Sequence, residues 1–159
     1  MSKRLSVLFV CLGNICRSPM AEAVFRARLQ AEGLADRIEV ASCGLGHWHI
    51  GSPPHPGTRQ ILDRHGIPWH GQKAKVMSAD QIKRYDYIIA MDKENVAGLV
   101  ELGVPEERIH LLRDFIPGEE GLEVPDPYYH GNFDEVYEMV SAAAEGLLRR
   151  ILAEHEVRR

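Results

Sequence analysis

The sequence predicts an α/β fold, a parallel sheet with helices over both faces. Short β-branched and aromatic apolar runs recur along the chain, too continuously apolar for strands with one wet face. Helix-forming segments separate them, three ended by a glycine at Gly33, Gly66 and Gly103. Strands alternating with helices imply right-handed crossovers, hence parallel strands.

Taken in order, Leu5-Ser-Val-Leu-Phe-Val10 reads as a buried strand, and Cys11 to Ser18 as a loop. Ser18 is the expected N-cap, with Pro19 in the first helical position. The helix continues to about Glu32 on Ala, Leu and Arg, all good formers. Ile38 to Cys43 is the second strand. Gly44 to Gly57 holds four glycines and three prolines and is a loop. Thr58 to His65 is a short helix, Asp86 to Met91 the third strand, Lys93 to Leu102 a helix, and Ile109 to Leu112 the fourth strand. Ile116 to Gly131 is a second Pro/Gly-rich loop. The last helix places Phe133, Val136, Tyr137, Val140, Ala144, Leu147, Leu148 and Ile151 near a 3.6 period. Asp134 and Glu135 sit in its first turn and Arg149 and Arg150 near its end, matching the helix dipole. Ligands of such sheets bind beyond the carboxyl ends of the strands. The loops after the first two strands should therefore hold the site.

The 159 residues point to one domain, 1–159, with no repeat or linker. Lys plus Arg number 19 against 23 Asp plus Glu, a net charge of −4. That balance argues against nucleic acid or an anionic membrane as partner. The run Leu5 to Leu12 is too short to span a bilayer and lacks a cleavage pattern for a secretory signal. Three cysteines, Cys11, Cys16 and Cys43, are too few for a disulfide scaffold, so a cytoplasmic protein with reduced thiols is expected. His47 and His49 form an H-x-H pair with no third ligand at recognisable spacing, so no metal and no cofactor is expected.

The loop between strand and first helix carries the chemistry. Backbone N–H groups at a helix N-terminus make an anion site. Gly13 permits a tight turn, and Asn14 tolerates left-handed backbone angles. Arg17 offers a planar fork for phosphate oxygens. A thiol held there, Cys11, has its thiolate favoured by the dipole and by Arg17. A nucleophile beside an oxyanion cradle suits covalent phosphoryl transfer. C-x5-R alone is a weak pattern; the strand before it and the Ser-Pro helix start after it strengthen it. The G-x-x-x-x-G-K-[ST] spacing of an ATP-type phosphate loop is absent.

Val10-Cys-Leu-Gly-Asn-Ile-Cys-Arg-Ser-Pro-Met-Ala-Glu22, with Asp126-Pro-Tyr-Tyr129 far downstream, resembles the low-molecular-weight protein tyrosine phosphatases. The similarity runs from about Leu5 to Leu152. It implies a flavodoxin-like three-layer fold with a four-stranded parallel sheet. It also implies Cys11 as nucleophile through a phosphocysteine, with Arg17 and the loop amides holding the phosphoryl group. Ser18 would hydrogen-bond the thiolate and Asn14 hold the loop's shape. Read alone, Asp126 between two prolines is a turn former; the resemblance makes it the general acid and then the base. Leu12, Ile15, Trp48, Tyr128 and Tyr129 would wall the mouth, though Trp48 also reads as a loop anchor. Cys16 would guard Cys11 by a reversible disulfide, or serve as a structural thiol. Cys43 reads as core. His70 would orient the nucleophile loop or be structural. His49 and His55 depart from the family's pattern, which often has an acidic residue before Pro56, and leave substrate preference open.

The substrates implied are phosphotyrosine proteins or small aryl phosphates, with a monomer as the expected state. A thiol-based arsenate reductase of the same fold needs further cysteines, and Ser78 to Lys93 has none. A protein-arginine phosphatase has threonine where Ile15 stands. A phosphate-binding module without activity would need neither nucleophile nor acid.

Overall fold

The computed structural model describes residues 4–155, so the ends of the expected 1–159 domain lie outside the described residues. Strands β1 (Leu5–Cys11), β2 (Ile38–Gly44), β3 (Tyr87–Ala90) and β4 (Ile109–Leu111) form one sheet in the order β2-β1-β3-β4. All three pairings are parallel. The sheet is four-stranded and flavodoxin-like, as the resemblance implied. Helices are α1 (Arg17–Ala31), α2 (Pro56–Arg64), α3 (Ala79–Ile82), α4 (Lys93–Glu101), α5 (Pro127–His130) and α6 (Phe133–Glu154).

Strand alternation divides the core in two. Val7 and Phe9 of β1 and Ile89 of β3 face a layer built by α1, α2 and α6. Leu8, Val10, Ile88 and Ala90 face the layer of α3 and α4. Phe9 and Phe25 meet edge to face at 5.9 Å. Each such fully buried ring contributes about 2 kcal/mol by removal from water. From β1 the chain winds one way to β2 and the other way to β3, so the strand order reverses beside β1. The crevice at that reversal opens at the carboxyl end of β1, where Cys11 stands opposite Gly44.

Several elements differ from the sequence expectation. The first helix starts at Arg17 with Cys16 as N-cap, and Cys16 makes no side-chain cap bond. Ser18 is not the cap because its hydroxyl is engaged by Cys11 and Asn14. Pro19 falls at the third helical position, where its missing N–H still costs nothing. The short helix α2 starts two residues early, with Pro56 first and His55 capping through Nδ1 to Gly57 N at 3.0 Å. The second Pro/Gly-rich loop contains α5, capped by Asp126. Helix α3 was not expected; its capping box, Ser78 with Gln81, is a readable signal. Helix α6 runs on to Glu154, leaving no basic residue in its last turn. Arg150 instead lies over the Phe115 ring at 5.3 Å.

Candidate active site

Cys11 ends β1, and the loop after it curls around its sulfur. Asn14 is the one non-glycine residue with positive φ, 56°, among the described residues. That angle turns its N–H toward the Cys11 sulfur at 3.2 Å. Ser18 Oγ lies 2.9 Å from the same sulfur. Asn14 Nδ2 donates to Ser18 Oγ at 2.8 Å and to Ser42 Oγ at 3.0 Å, and Asn14 Oδ1 accepts from Lys75 N at 3.0 Å. Leu12 O accepts from Leu45 N and Gly46 N, which pins the loop to the end of β2. A side chain at Gly44 would press on Leu12 O and Asn14, so this close approach requires glycine.

Arg17, 3% exposed, reaches back under the loop. Its Nη1 donates to Asp92 Oδ2 at 2.7 Å and to Val124 O at 2.9 Å. Its Nη2 lies 3.6 Å from Asp126 Oδ2. Burial opposes the guanidinium's charge, but Cys11, Asp92 and Asp126 outweigh it and push its pKa up. Nε and Nη2 remain to meet an anion. Asp126 Oδ1 accepts from Tyr128 N at 3.1 Å, so the carboxylate also caps α5. Burial first, then the Cys11 charge, raises the Cys16 thiol to about 12. Burial likewise raises Cys43 to about 12.

These groups surround a cavity of about 480 Å³. Cys11, Gly13, Cys16 and Arg17 form its floor, with Asp126 at the rim and Leu12, Ile15, Trp48, His49, Tyr128 and Tyr129 as walls. Trp48 and Tyr129 are 72% and 73% exposed. The Trp48 ring nevertheless lies against Gly46, where any Cβ would overlap it. Tyr128 packs edge-on against Tyr129 at 5.3 Å and His55 at 5.8 Å. Asn14 and Ser18 stand behind this floor. His70 is exposed and stacked on Trp69 at 4.4 Å, and it lines a second cavity behind the loop together with Asn14, Glu22 and Ser42. Among the described residues, no group of three or more His, Cys, Asp or Glu could share a metal ion.

Two residues at the site escaped sequence reasoning. Asp92 grips Arg17 while its Oδ1 caps α4 through Asn95 N at 2.8 Å. Asp92 before a helix signals a cap; nothing in the sequence signals its cation. Glu22, on the buried side of α1, accepts from Ser42 Oγ at 2.5 Å.

A buried thiol, a buried arginine and a rim carboxylate around one anion-sized floor define the class of cysteine-dependent phosphatases. The family model described as low molecular weight phosphotyrosine protein phosphatase matches residues 6–157, and the chain belongs to that family. It is 46% identical to the low molecular weight protein-tyrosine-phosphatase YfkJ of Bacillus subtilis, over 96% of this chain and 99% of that protein. The crystal structure of YfkJ superposes with a TM-score of 0.93. The low molecular weight protein-tyrosine-phosphatase PtpA of Staphylococcus aureus is 44% identical over 93% of this chain and 94% of its own. A drosophila arginine phosphatase is 34% identical with a TM-score of 0.82, covering 91% of this chain and 96% of its own.

Proposed function

We propose that the protein hydrolyses phosphotyrosine and other aryl phosphate monoesters through a phosphocysteine. Cys11 thiolate attacks phosphorus in line while Asp126 protonates the leaving phenol oxygen. Arg17 and the loop amides other than that of Asn14, which faces the sulfur, neutralise the equatorial oxygens of a loose transition state. Asp126, now a base, takes a proton from the water that cleaves the phosphocysteine. The observation that carries this reading is the convergence of Cys11, Arg17 and Asp126 on one cavity walled by Trp48, Tyr128 and Tyr129. Flat apolar walls above a phosphate-sized floor suit a phenyl ester. Ile15, apolar and 8% exposed, favours this over a guanidinium-borne phosphate.

Asp126→Asn tests the acid directly. Asparagine still caps α5, so the helix survives while the proton and the carboxylate charge 3.6 Å from Arg17 are lost. We expect kcat for an aryl phosphate to fall about 10²–10⁴-fold while inorganic phosphate inhibits as before. Near-normal turnover would remove Asp126 from the role.

Cys16 serves as redox guard in this reading. Peroxide oxidises Cys11 to the sulfenic acid, and the Cys16 thiol displaces water from it to form a disulfide. Cys16 is buried within the loop and held protonated, which supports a partner that stays silent until Cys11 is oxidised. The substrate is a phosphotyrosine protein or a small aryl phosphate, met by a cytoplasmic monomer. The net charge of −4 supports neither nucleic acid nor anionic membrane as partner. Among the described residues no helix is long and apolar enough to cross a membrane.

A further inference from the structure

The first turn of α2 brackets the nucleophile loop. His55 N donates to Ile15 O at 2.7 Å, and Thr58 Oγ1 donates to Cys16 O at 3.1 Å. The Phe133 ring fills the place that a Cβ on Gly57 would need. The His55 side chain joins this turn to the mouth of the cavity. Its Nδ1 accepts from Gly57 N at 3.0 Å, which leaves the imidazole proton on Nε2. Held in that plane, the ring stacks on Phe133 at 5.0 Å and meets Tyr128 edge to face at 5.8 Å. Tyr128 is half exposed, and its neighbour Tyr129 more so. The His49 ring lies further off, tilted at 6.1 Å. The ring of His55, pinned to the backbone, is the fixed support of the Tyr128 wall.

An imidazole accepts at Nδ1 only while it is neutral. Protonated, His55 would point one N–H at another across 3.0 Å, so the ring must turn out of the cap and away from Tyr128. The groups facing it come from each element around it. Arg59 lies on α2, His49 on the preceding loop, Tyr128 and Asp126 on α5, and the uncharged Phe133 ring on α6. Burial, then Arg59, hold its pKa below 6.5, with His49 adding to them and Asp126 opposing. The cap is therefore made near neutral pH, and acid releases it.

We propose that His55 is a positioning residue whose neutral imidazole fixes the Tyr128 wall, so that its protonation weakens the hold on aryl-bearing anions and leaves phosphate on the floor unaffected. The inference rests on the proposed reading of the cavity as an aryl phosphate site.

Two ligands separate wall from floor. Benzylphosphonate carries both ring and anion and is not hydrolysed; inorganic phosphate carries the anion alone. Their Kd values are measured by calorimetry from about pH 8 to about pH 5, in wild type and His55→Asn, beside an NMR titration of the His55 imidazole. Comparison at each pH cancels the ligands' own ionisation. Asparagine keeps the α2 cap and does not titrate. At the alkaline end wild type should bind benzylphosphonate about 2- to 10-fold tighter than His55→Asn, the worth of one edge-to-face contact. That gap should close with the midpoint of the His55 signal, while inorganic phosphate binds both proteins alike throughout. Tyr128→Leu removes the ring on which His55 acts, so the double variant should bind no more weakly than Tyr128→Leu. No gap at the alkaline end, a gap that persists through the His55 midpoint, an equal gap for inorganic phosphate, or additive losses in the double variant overturns the proposal. None of these readings needs turnover, so retained hydrolysis by Cys11→Ser would refute the nucleophile and leave them standing.

Discussion

Asn14 shows how much of a site can depend on a single side chain. Its left-handed backbone aims one amide at the sulfur, and its side chain ties Ser18, Ser42 and Lys75 together. The tolerance of asparagine for that conformation is legible in the sequence. Its partners are not, since Ser42 and Lys75 lie 28 and 61 residues away. Asp92 was hidden for the same reason, because an ion pair across 75 residues has no local signature. Asp92→Asn keeps the cap on α4 and removes the charge from Arg17. A hydrogen bond to a charged group is worth about 1.5–3 kcal/mol, so kcat/KM should fall roughly 10- to 100-fold in steady-state assays. The thiols separate at this scale too. Cys16 and Cys43 are held protonated up to about 12, so iodoacetamide near neutral pH should label neither while it labels Cys11. Peptide mapping of the labelled protein checks this; early label at Cys16 would contradict it.

Among the elements, all four strands were legible, because runs such as Leu5–Val10 and Tyr87–Ala90 are apolar on both faces and short. The helix starts were less so. Ser18-Pro19 carries the local signature of a cap, and tertiary demand overrode it when the loop took the Ser18 hydroxyl for Cys11. Helix α5 was masked by its own Pro/Gly-rich surroundings, though Asp126-Pro127 is a sound cap and first residue. Helix α6 shows a different limit. Its period was readable, but not that Gly146 lets it approach the turn at Leu112–Phe115, where a Cβ would overlap the Phe115 carbonyl oxygen. Gly146→Ala should gain about 1 kcal/mol of helix propensity. The clash is with backbone and cannot swing aside, at a cost of about 1–3 kcal/mol or more. We expect a net loss, seen as a lower thermal midpoint; a higher midpoint would show that α6 has room to shift.

For the whole molecule, charge and thiols set the working range. A net charge of −4 coexists with a local anion site made of amides and Arg17, which no whole-chain sum could reveal. Burial, and then Arg59 for His55 and Arg150 for His110, lowers these two histidines below 6.5. The unfolded chain takes up their protons first, so stability falls as pH drops below about 6.5. Cys16 and Cys43 are raised from 9.0 to about 12, so the unfolded chain loses protons first and stability falls as pH rises from 9 toward 12. Thermal midpoints across pH should therefore be highest between these limits. A midpoint that kept rising through pH 9 to 12 would contradict the burial of both thiols.

The central claim is that Cys11 attacks phosphorus without help from a metal. Hydrolysis of an aryl phosphate in excess chelator, wild type against Cys11→Ser, tests it most directly. The expected result is full activity in the chelated wild type and none in the variant. Activity retained by Cys11→Ser, or lost from the wild type on chelation, would contradict the account.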